Sequence, residues 1–570
     1  MFSLRFIMIV ALPLSALLWM TWPSSATASP EDTQKAKQLV ESFIQFFRPL
    51  DVAGNRAWWD ANISGKEEDY KRKEEAQNKI DAFLADKDAF AKIKSLKETG
   101  KIDDPVLKRA VDVIYLAYLE KQVEPELLKK MTALSNSVEQ KFSTYRAVVD
   151  GVKMTDGEVR KVLKNSKISE RRREVWEAAK GVGKVVEPEL KELVKVRNEA
   201  AKKLGFNNYH ALQLYLNEQN GDDLIKLFDK LDDLTRAPFI KAKTEIDQIL
   251  ADNCGIKPNK LMPWHYHDPF FQETPTVFGA DLDKVYAQQD IVRLCREFYR
   301  GIGLPIDLVI ERSNNDFKPR EGKNPHAFCT DITRDGSDVR VLANLVPNDY
   351  WMSTMLHEFG HSVYSSINIP EKLPYVLRCE AHILTTEGVA MMFEKLSKRR
   401  AWLAKMGVEV EDGQKFDETG AKMLRYQLLI FSRWCQVMLR FEKGMYENPD
   451  QDLNKLWWDM VEKYQLLERP AGRNEPDYGS KIHIISAPVY YHNYMMGELF
   501  ASQLHQAIAR EVYKGANPDT VVYVGNKDVG EFMRTRVFEP GRTMSWNELT
   551  RHATGADLSP EAFARDFRGN

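Results

Sequence analysis

Two histidines four residues apart, with a glutamate directly after the first, stand at His357-Glu358-Phe359-Gly360-His361. The surrounding run STMLHEFGHSVYSS contains no proline and carries apolar residues at helical spacing, which predicts a helix. Residues four apart share a helix face, so His357 and His361 can offer two imidazoles to one metal ion. Zinc accepts such donors, and a catalytic zinc keeps one position for water, whose pKa it lowers toward ~7. Glu358, on the turn between the histidines, reaches that water as a general base without ligating the metal.

A third protein ligand must come from elsewhere. Glu371, Glu380, Glu387 and Glu394 all lie downstream. Glu371 sits in the loop IPEKLP, too close to fold back, and Glu380 and Glu394 have no supporting context. Glu387 lies in LTTEGVAMMF, which predicts the start of a buried helix capped by Thr385 or Thr386. The expected metal set is one zinc ion on His357, His361 and Glu387.

Three blocks of the chain extend this reading. LPYVLRCEAHILTTEG runs from Leu373 to Gly388 and KIHIISAPVYYHNY from Lys481 to Tyr494, while RAWWDANIS and MTALSNSVEQKFSTY lie near the N-terminus. Together they resemble the angiotensin-converting enzyme family of zinc peptidyl-dipeptidases. The resemblance implies a mainly α fold, a large helical ellipsoid with a deep central cleft, N-terminal lid helices and a short β segment beside the active site. It also supports Glu387, which follows Arg378 at the family's spacing.

For the chemistry, the resemblance implies that Tyr494 and His483 stabilise the oxyanion, each such donor being worth about 10²–10³ in rate. Counted directly from His483, the family's second tyrosine would fall on Asn493, so the match to Tyr491 and Tyr494 needs one inserted residue after Ser486. Tyr490 then reads as an aromatic core residue. Lys481 and Tyr491 match the residues that hold the substrate's C-terminal carboxylate. A third anchor, a glutamine, is expected near Trp264–Asp268, where Tyr266 takes its place. His265, His267 and Asp268 read as cleft-lining residues rather than a second metal site. In NPHAFCTDI, His326 and Ala327 would lie along the peptide backbone. The implied function is a zinc-dependent peptidyl-dipeptidase releasing C-terminal dipeptides. The alternatives are an oligoendopeptidase or single-residue carboxypeptidase on short peptides, and, from another class, a non-catalytic peptide-binding protein.

The chain also departs from the family. Met391 stands where an aspartate would orient a zinc histidine, so another partner must do so. Asn493 and Val461 replace chloride-binding arginines, so chloride is not expected. Pro325 replaces one cysteine of a family disulfide, and the five cysteines are expected in the core as small apolar residues.

At the level of the chain, 570 residues with a net charge of −2 exclude the basic field that nucleic acid would require. Residues 1–28 read as a secretory signal: Arg5, an apolar run from Phe6 to Trp22, and the small-residue site Ala26-Thr27-Ala28. The mature chain is then exported, periplasmic or extracellular, without stable membrane association. Residues 29–570 read as a single catalytic domain, with lid helices over about 31–150. Helical spacing is clearest over 176–205 and 419–446, and Asp338–Val346 is the best β run. The charged stretch Lys66–Lys79 reads as a solvated helix face. Asn62-Ile63-Ser64 is a glycosylation sequon.

Overall fold

The computed structural model describes residues 29–275, 277, 282–313 and 316–567. The signal expected over 1–28 lies outside the described residues. The architecture is mainly α, with two antiparallel two-stranded sheets among the described residues.

Local chemistry places the first helix. The Ser29 side chain accepts from the Asp32 N–H, Pro30 opens helix α1 (Pro30–Ser64), and Glu31 and Asp32 face its positive end. Gly65, at φ 65°, ends it, a conformation glycine adopts without steric cost. Helices α2 (Glu67–Leu84), α3 (Lys87–Thr99) and α4 (Pro105–Glu120) pack with α1 around a small core of their own. Val40, Phe43, Leu84, Ile93 and Ile114 fill it, together with Val376 and Leu377 from the body. Helix α5 (Pro125–Thr144) instead packs against Val182–Lys203 through Leu127, Val196 and Ala200.

The run expected as one helix over 176–205 is two, Ser169–Lys180 and Val182–Lys203, separated at Gly181. A Cβ at Gly181 would stand 2.5 Å from the Tyr145 hydroxyl, which donates to Ala178 O at 2.6 Å. The second predicted run lies inside the helix Gly413–Glu447. The hairpin of β1 (Ala147–Val149) and β2 (Val152–Met154) is peripheral. In the other, β3 (Phe328–Asp331) pairs with β4 (Val339–Leu342), Phe328 opposite Leu342 and Asp331 opposite Val339. The expected strand over 338–346 is thus confined to its first half.

Three helices form the centre of the body: a histidine helix (Asp349–Val363), a glutamate helix (Ile383–Glu394) and a tyrosine helix (His492–Glu511). Asn348 caps the first by accepting from Trp351 N–H. The cap of the second is His382, not Thr385 or Thr386. Its ring Nδ1 accepts from Leu384 N–H, and Thr385 Oγ1 accepts from the His382 N–H, the reciprocal arrangement of a capping box.

Two surface readings change. Asn62 is buried, donating to Trp58 O at 2.8 Å and accepting from Asn324 Nδ2 at 2.7 Å, so the sequon is closed to a glycan. All five cysteines are free thiols. Cys295 and Cys435 lie in the core as expected, but Cys254, Cys329 and Cys379 are partly exposed. Among the described residues no helix is long and apolar enough to cross a membrane.

Candidate active site

The histidine helix turns His357 and His361 toward the glutamate helix, and their ligand atoms converge with that of Glu387 within 4.8 Å of one another. The two Nε2 atoms are 3.0 Å apart, and His357 Nε2 lies 3.6 Å from Glu387 Oε2. Both remaining ring nitrogens are engaged: His357 Nδ1 pairs with Glu394 Oε2 at 2.6 Å and His361 Nδ1 with Thr386 Oγ1 at 2.7 Å. With both Nδ1 atoms tied to these partners, the two Nε2 atoms and the Glu387 carboxylate converge, the arrangement one shared cation would occupy. Burial alone would lower His357, yet the Glu394 hydrogen bond and the charges of Glu394, Glu387 and Glu358 pull it up to about 10. This surplus of buried carboxylate fits a divalent metal ion, and two imidazoles with one carboxylate are donors zinc accepts.

Glu394 thus fills the role left open at Met391. It was set aside as a ligand, and the helix period explains its place. Seven residues after Glu387 is two turns, which returns a side chain to the same face. Glu498 of the tyrosine helix lies behind it, paired with Lys395.

Glu358 is buried, and its Oε2 has no hydrogen-bond partner among the described residues. Burial pushes its carboxyl up to about 7, with His357 opposing, Glu387 and Glu394 adding, and the Cys329 backbone N–H holding the charged form.

Tyr494, in the first turn of the tyrosine helix, feels the charge of Glu387, and burial raises its phenol to about 12. Tyr490 is not the core residue expected. It is half-buried, hydrogen-bonded to Tyr494, and near both Glu387 and Glu380. Tyr491 is the buried one, packed on Phe431 and Trp434. The His483 ring lies 4.9 Å from Tyr491 and 6.5 Å from Tyr494. Burial, then Lys481, lowers His483 to about 4, and its Nδ1 has no partner.

Lys481 is buried, 5.1 Å above the Tyr491 ring, and donates to Gln272 Oε1 at 2.7 Å. The glutamine beside Lys481 is Gln272, not a residue at the position of Tyr266. Tyr266 is core, donating to Asp247 at 2.7 Å and accepting from Lys243 at 2.9 Å. Asp268 accepts the backbone N–H groups of Phe270 and Gln272, building the turn that presents Gln272. His265 is buried against Ser169 Oγ at 2.8 Å rather than lining the cleft. No second cluster of metal-binding residues exists among the described residues. His326 and Ala327 sit just before β3, His326 exposed and Ala327 half-buried. Asn493 is buried and accepts from Gln219 Nε2 at 2.7 Å, and Val461 lies in the core.

The residues of the candidate site that sequence reasoning missed are Gln272, Glu394 and Tyr490. Periodicity carries a signal for Glu394, and adjacency to Tyr491 one for Tyr490. Gln272 had none, because a turn decides where it points.

Comparison with known proteins divides the chain in two. The family description "Angiotensin-converting enzyme" matches residues 30–247, and "Peptidase family M3" matches residues 307–569. The chain is 23% identical to "Angiotensin-converting enzyme" of Sus scrofa, over 96% of its own length and 43% of that protein's. It is 22% identical to the protein of the same name from Oryctolagus cuniculus, over 92% of the chain and 42% of the relative. It thus spans less than half the length of the curated relatives it matches. These likenesses, low in identity but running through nearly the whole chain, support a zinc metallopeptidase that is a divergent relative of the angiotensin-converting enzyme family.

Proposed function

We propose that this chain is an exported zinc peptidyl-dipeptidase that removes C-terminal dipeptides from short peptides. The observation that carries this reading is Lys481: a buried ammonium with no carboxylate hydrogen-bonded to it among the described residues, held by Gln272 beside His483. A buried cation of this kind supplies a charge-assisted hydrogen bond for a free C-terminal carboxylate, which an endopeptidase does not need.

Zinc, when bound by His357, His361 and Glu387, supplies Lewis acidity toward the scissile carbonyl and the attacking water. Glu358 takes the proton of that water on Oε2, the oxygen with no other partner, and passes it to the departing amine. Its position near neutrality suits both transfers. Tyr494 donates its hydroxyl to the carbonyl oxygen as that oxygen gains charge, and His483 assists as a neutral donor. Lys481 and Gln272 hold the carboxylate, Tyr491 packs against the ammonium, and His326 and Ala327 lie along the peptide. No chloride is expected, since Asn493 and Val461 bring no positive charge to hold the ion. Export rests on the sequence of residues 1–28.

Purified protein should release a dipeptide from a free-acid tripeptide and leave its C-terminal amide intact. Chelation should abolish the activity and zinc restore it. Glu358→Gln should retain zinc while kcat falls by several orders of magnitude. Near-normal turnover in Glu358→Gln would sink the mechanism, and equal cleavage of acid and amide would sink the exopeptidase reading.

A further inference from the structure

Between His483 and Tyr490 the chain makes a turn that its own residue types oppose. Pro488 and Val489 are the central pair of that turn, and Val489 has φ 57°. Glycine or asparagine takes this left-handed position readily, whereas the β-branched valine crowds its own backbone there. Such a conformation persists only where the surroundings impose it.

Two buried side chains impose it. Glu442, in the helix Gly413–Glu447, accepts the Val489 N–H on Oε1 at 2.9 Å. Arg197, in the helix Val182–Lys203, donates to Ile485 O and to the Tyr446 hydroxyl, both at 3.1 Å. The segment is thus gripped on both sides of Pro488, each time by a different helix. Val489 is itself buried, and the Ala487 N–H donates to His483 O at 3.0 Å, so the turn is tied back to the start of the segment. Burial pushes the Glu442 carboxyl up to about 8, with the Val489 N–H and Arg197 opposing. At pH 7 the protonated acid is therefore the main form, and its carbonyl oxygen accepts the bond.

The turn controls the tyrosines that follow it. The Tyr490 ring stands 5.3 Å from that of Tyr494, edge to face, and the Tyr491 ring stands 4.9 Å from that of His483. Returning Val489 to an ordinary negative φ would swing both rings, because they follow it directly in the chain.

We propose that Glu442 is a positioning residue: through the Val489 N–H it holds the turn that seats Tyr490 against Tyr494, and so aims the Tyr494 hydroxyl at the reacting carbonyl. This inference rests on the peptidase reading above for what Tyr494 does. Glu442 does not meet the substrate; it acts through the backbone.

The test compares zinc-loaded variants at pH 7. Glu442→Gln copies the shape of the protonated acid and keeps an acceptor oxygen, so kcat should stay within about twofold of wild type. Glu442→Leu removes the acceptor, and kcat should fall by about 10²-fold, the cost of misplacing a reacting group by about 1 Å. KM and zinc content should change little, because the Tyr494 bond is made in the transition state. Adding Val489→Gly to Glu442→Leu should return kcat to within about threefold of wild type, since glycine takes φ 57° without being held. Val489→Pro removes the donor and forbids that φ with Glu442 still in place, so it should cost as much as Glu442→Leu and stands in for it if leucine prevents folding. In a Tyr494→Phe background neither change should lower kcat further. Wild-type kcat in Glu442→Leu or Val489→Pro, a Glu442→Gln enzyme as slow as either, no rescue by glycine, or a full additional loss on top of Tyr494→Phe would each overturn the proposal. Hydrogen exchange over residues 484–494 reads the same turn without turnover: it should accelerate in Glu442→Leu and keep its wild-type rate in Glu442→Gln. Unchanged exchange in Glu442→Leu would overturn the proposal even in an inactive protein. A wild-type enzyme that cleaves no peptide would refute the peptidase reading instead, while exchange still reports on the hold of Glu442 on the turn.

Discussion

Glu394 and Thr386 fix the two candidate zinc histidines by occupying Nδ1, so that each ring turns Nε2 inward. Removing such a partner typically costs 10–100-fold in metal affinity. Glu394→Ala should therefore weaken zinc binding by about that factor, measured by competition with a chromophoric chelator, whereas Met391→Asp should change it little. Loss of zinc in Glu387→Ala but not in Glu394→Ala would leave Glu394 without this role. Lys481 gives the pH dependence. Burial holds its ammonium down to about 8 despite the pull of Asp268. The charged form is the one that meets a carboxylate, so the anchor is present below pH about 8 and is lost as pH rises through that value. KM should climb on the alkaline side with kcat less affected, and the climb should vanish in Lys481→Met, whose KM is already high. A flat KM from pH 7 to 10 in the wild type would refute the assignment.

The three central helices lie unusually close because glycine occupies their contacts. A Cβ on Gly360 would stand 2.8 Å from Ala390 Cα, and one on Gly388 would stand 2.8 Å from Gly497 O. Gly497 in turn leaves room for Glu387 Cβ, 3.1 Å from where its own Cβ would be. The geometry of the metal ligands is thus set by backbone approach between helices. Gly388→Ala should force the glutamate and tyrosine helices apart, costing about 1–3 kcal/mol of stability through overpacking. It should also weaken zinc binding, because Glu387 moves with its helix. Gly157→Ala, at a helix start where no neighbour lies closer than 4.0 Å, should be neutral or slightly stabilising. Thermal unfolding and zinc titration of the two variants check both statements; equal behaviour would contradict the close-packing argument.

Across the whole molecule, α1 joins two units. Its first half belongs to the small core of α1–α4, and its second half lies on the β3–β4 hairpin that borders the active site. Arg48 pairs with Asp335 at 3.0 Å, Arg56 with Asp338 at 2.6 Å, and Asp51 with Arg334 at 3.0 Å. Trp58 and Trp59 pack on Phe328. Exposed pairs of this kind contribute little each, but Asp51 also receives the Tyr375 hydroxyl and is only 10% exposed. Asp51→Asn would leave Arg334 without its carboxylate. We expect a cost of up to about 3 kcal/mol, the low end for a broken buried pair because Arg334 is 27% exposed. Hydrogen exchange should accelerate over the second half of α1 and not in the tyrosine helix. Uniform acceleration across the chain would show that the pair stabilises the fold as a whole rather than the contact between α1 and the β3–β4 hairpin.

The local sequence determined the central helices and the candidate ligand triad. Periodicity places His357 and His361 on one face, and the run LTTEGVAMMF puts Glu387 in a buried helix, as found. These are properties of short stretches, which backbone geometry translates directly into side-chain direction. Contacts between distant segments were not legible. Gln272 reaches Lys481 only because Asp268 folds the turn that carries it. Glu394 rather than a residue at 391 meets His357 because two helices cross at glycine contacts. Tyr490 faces the metal site while Tyr491 faces the core because the chain enters the tyrosine helix there. Asn62 is sealed by Asn324 from another part of the chain. Each depends on where two backbones meet, and that is decided by packing over the whole molecule, not by any spacing along the chain.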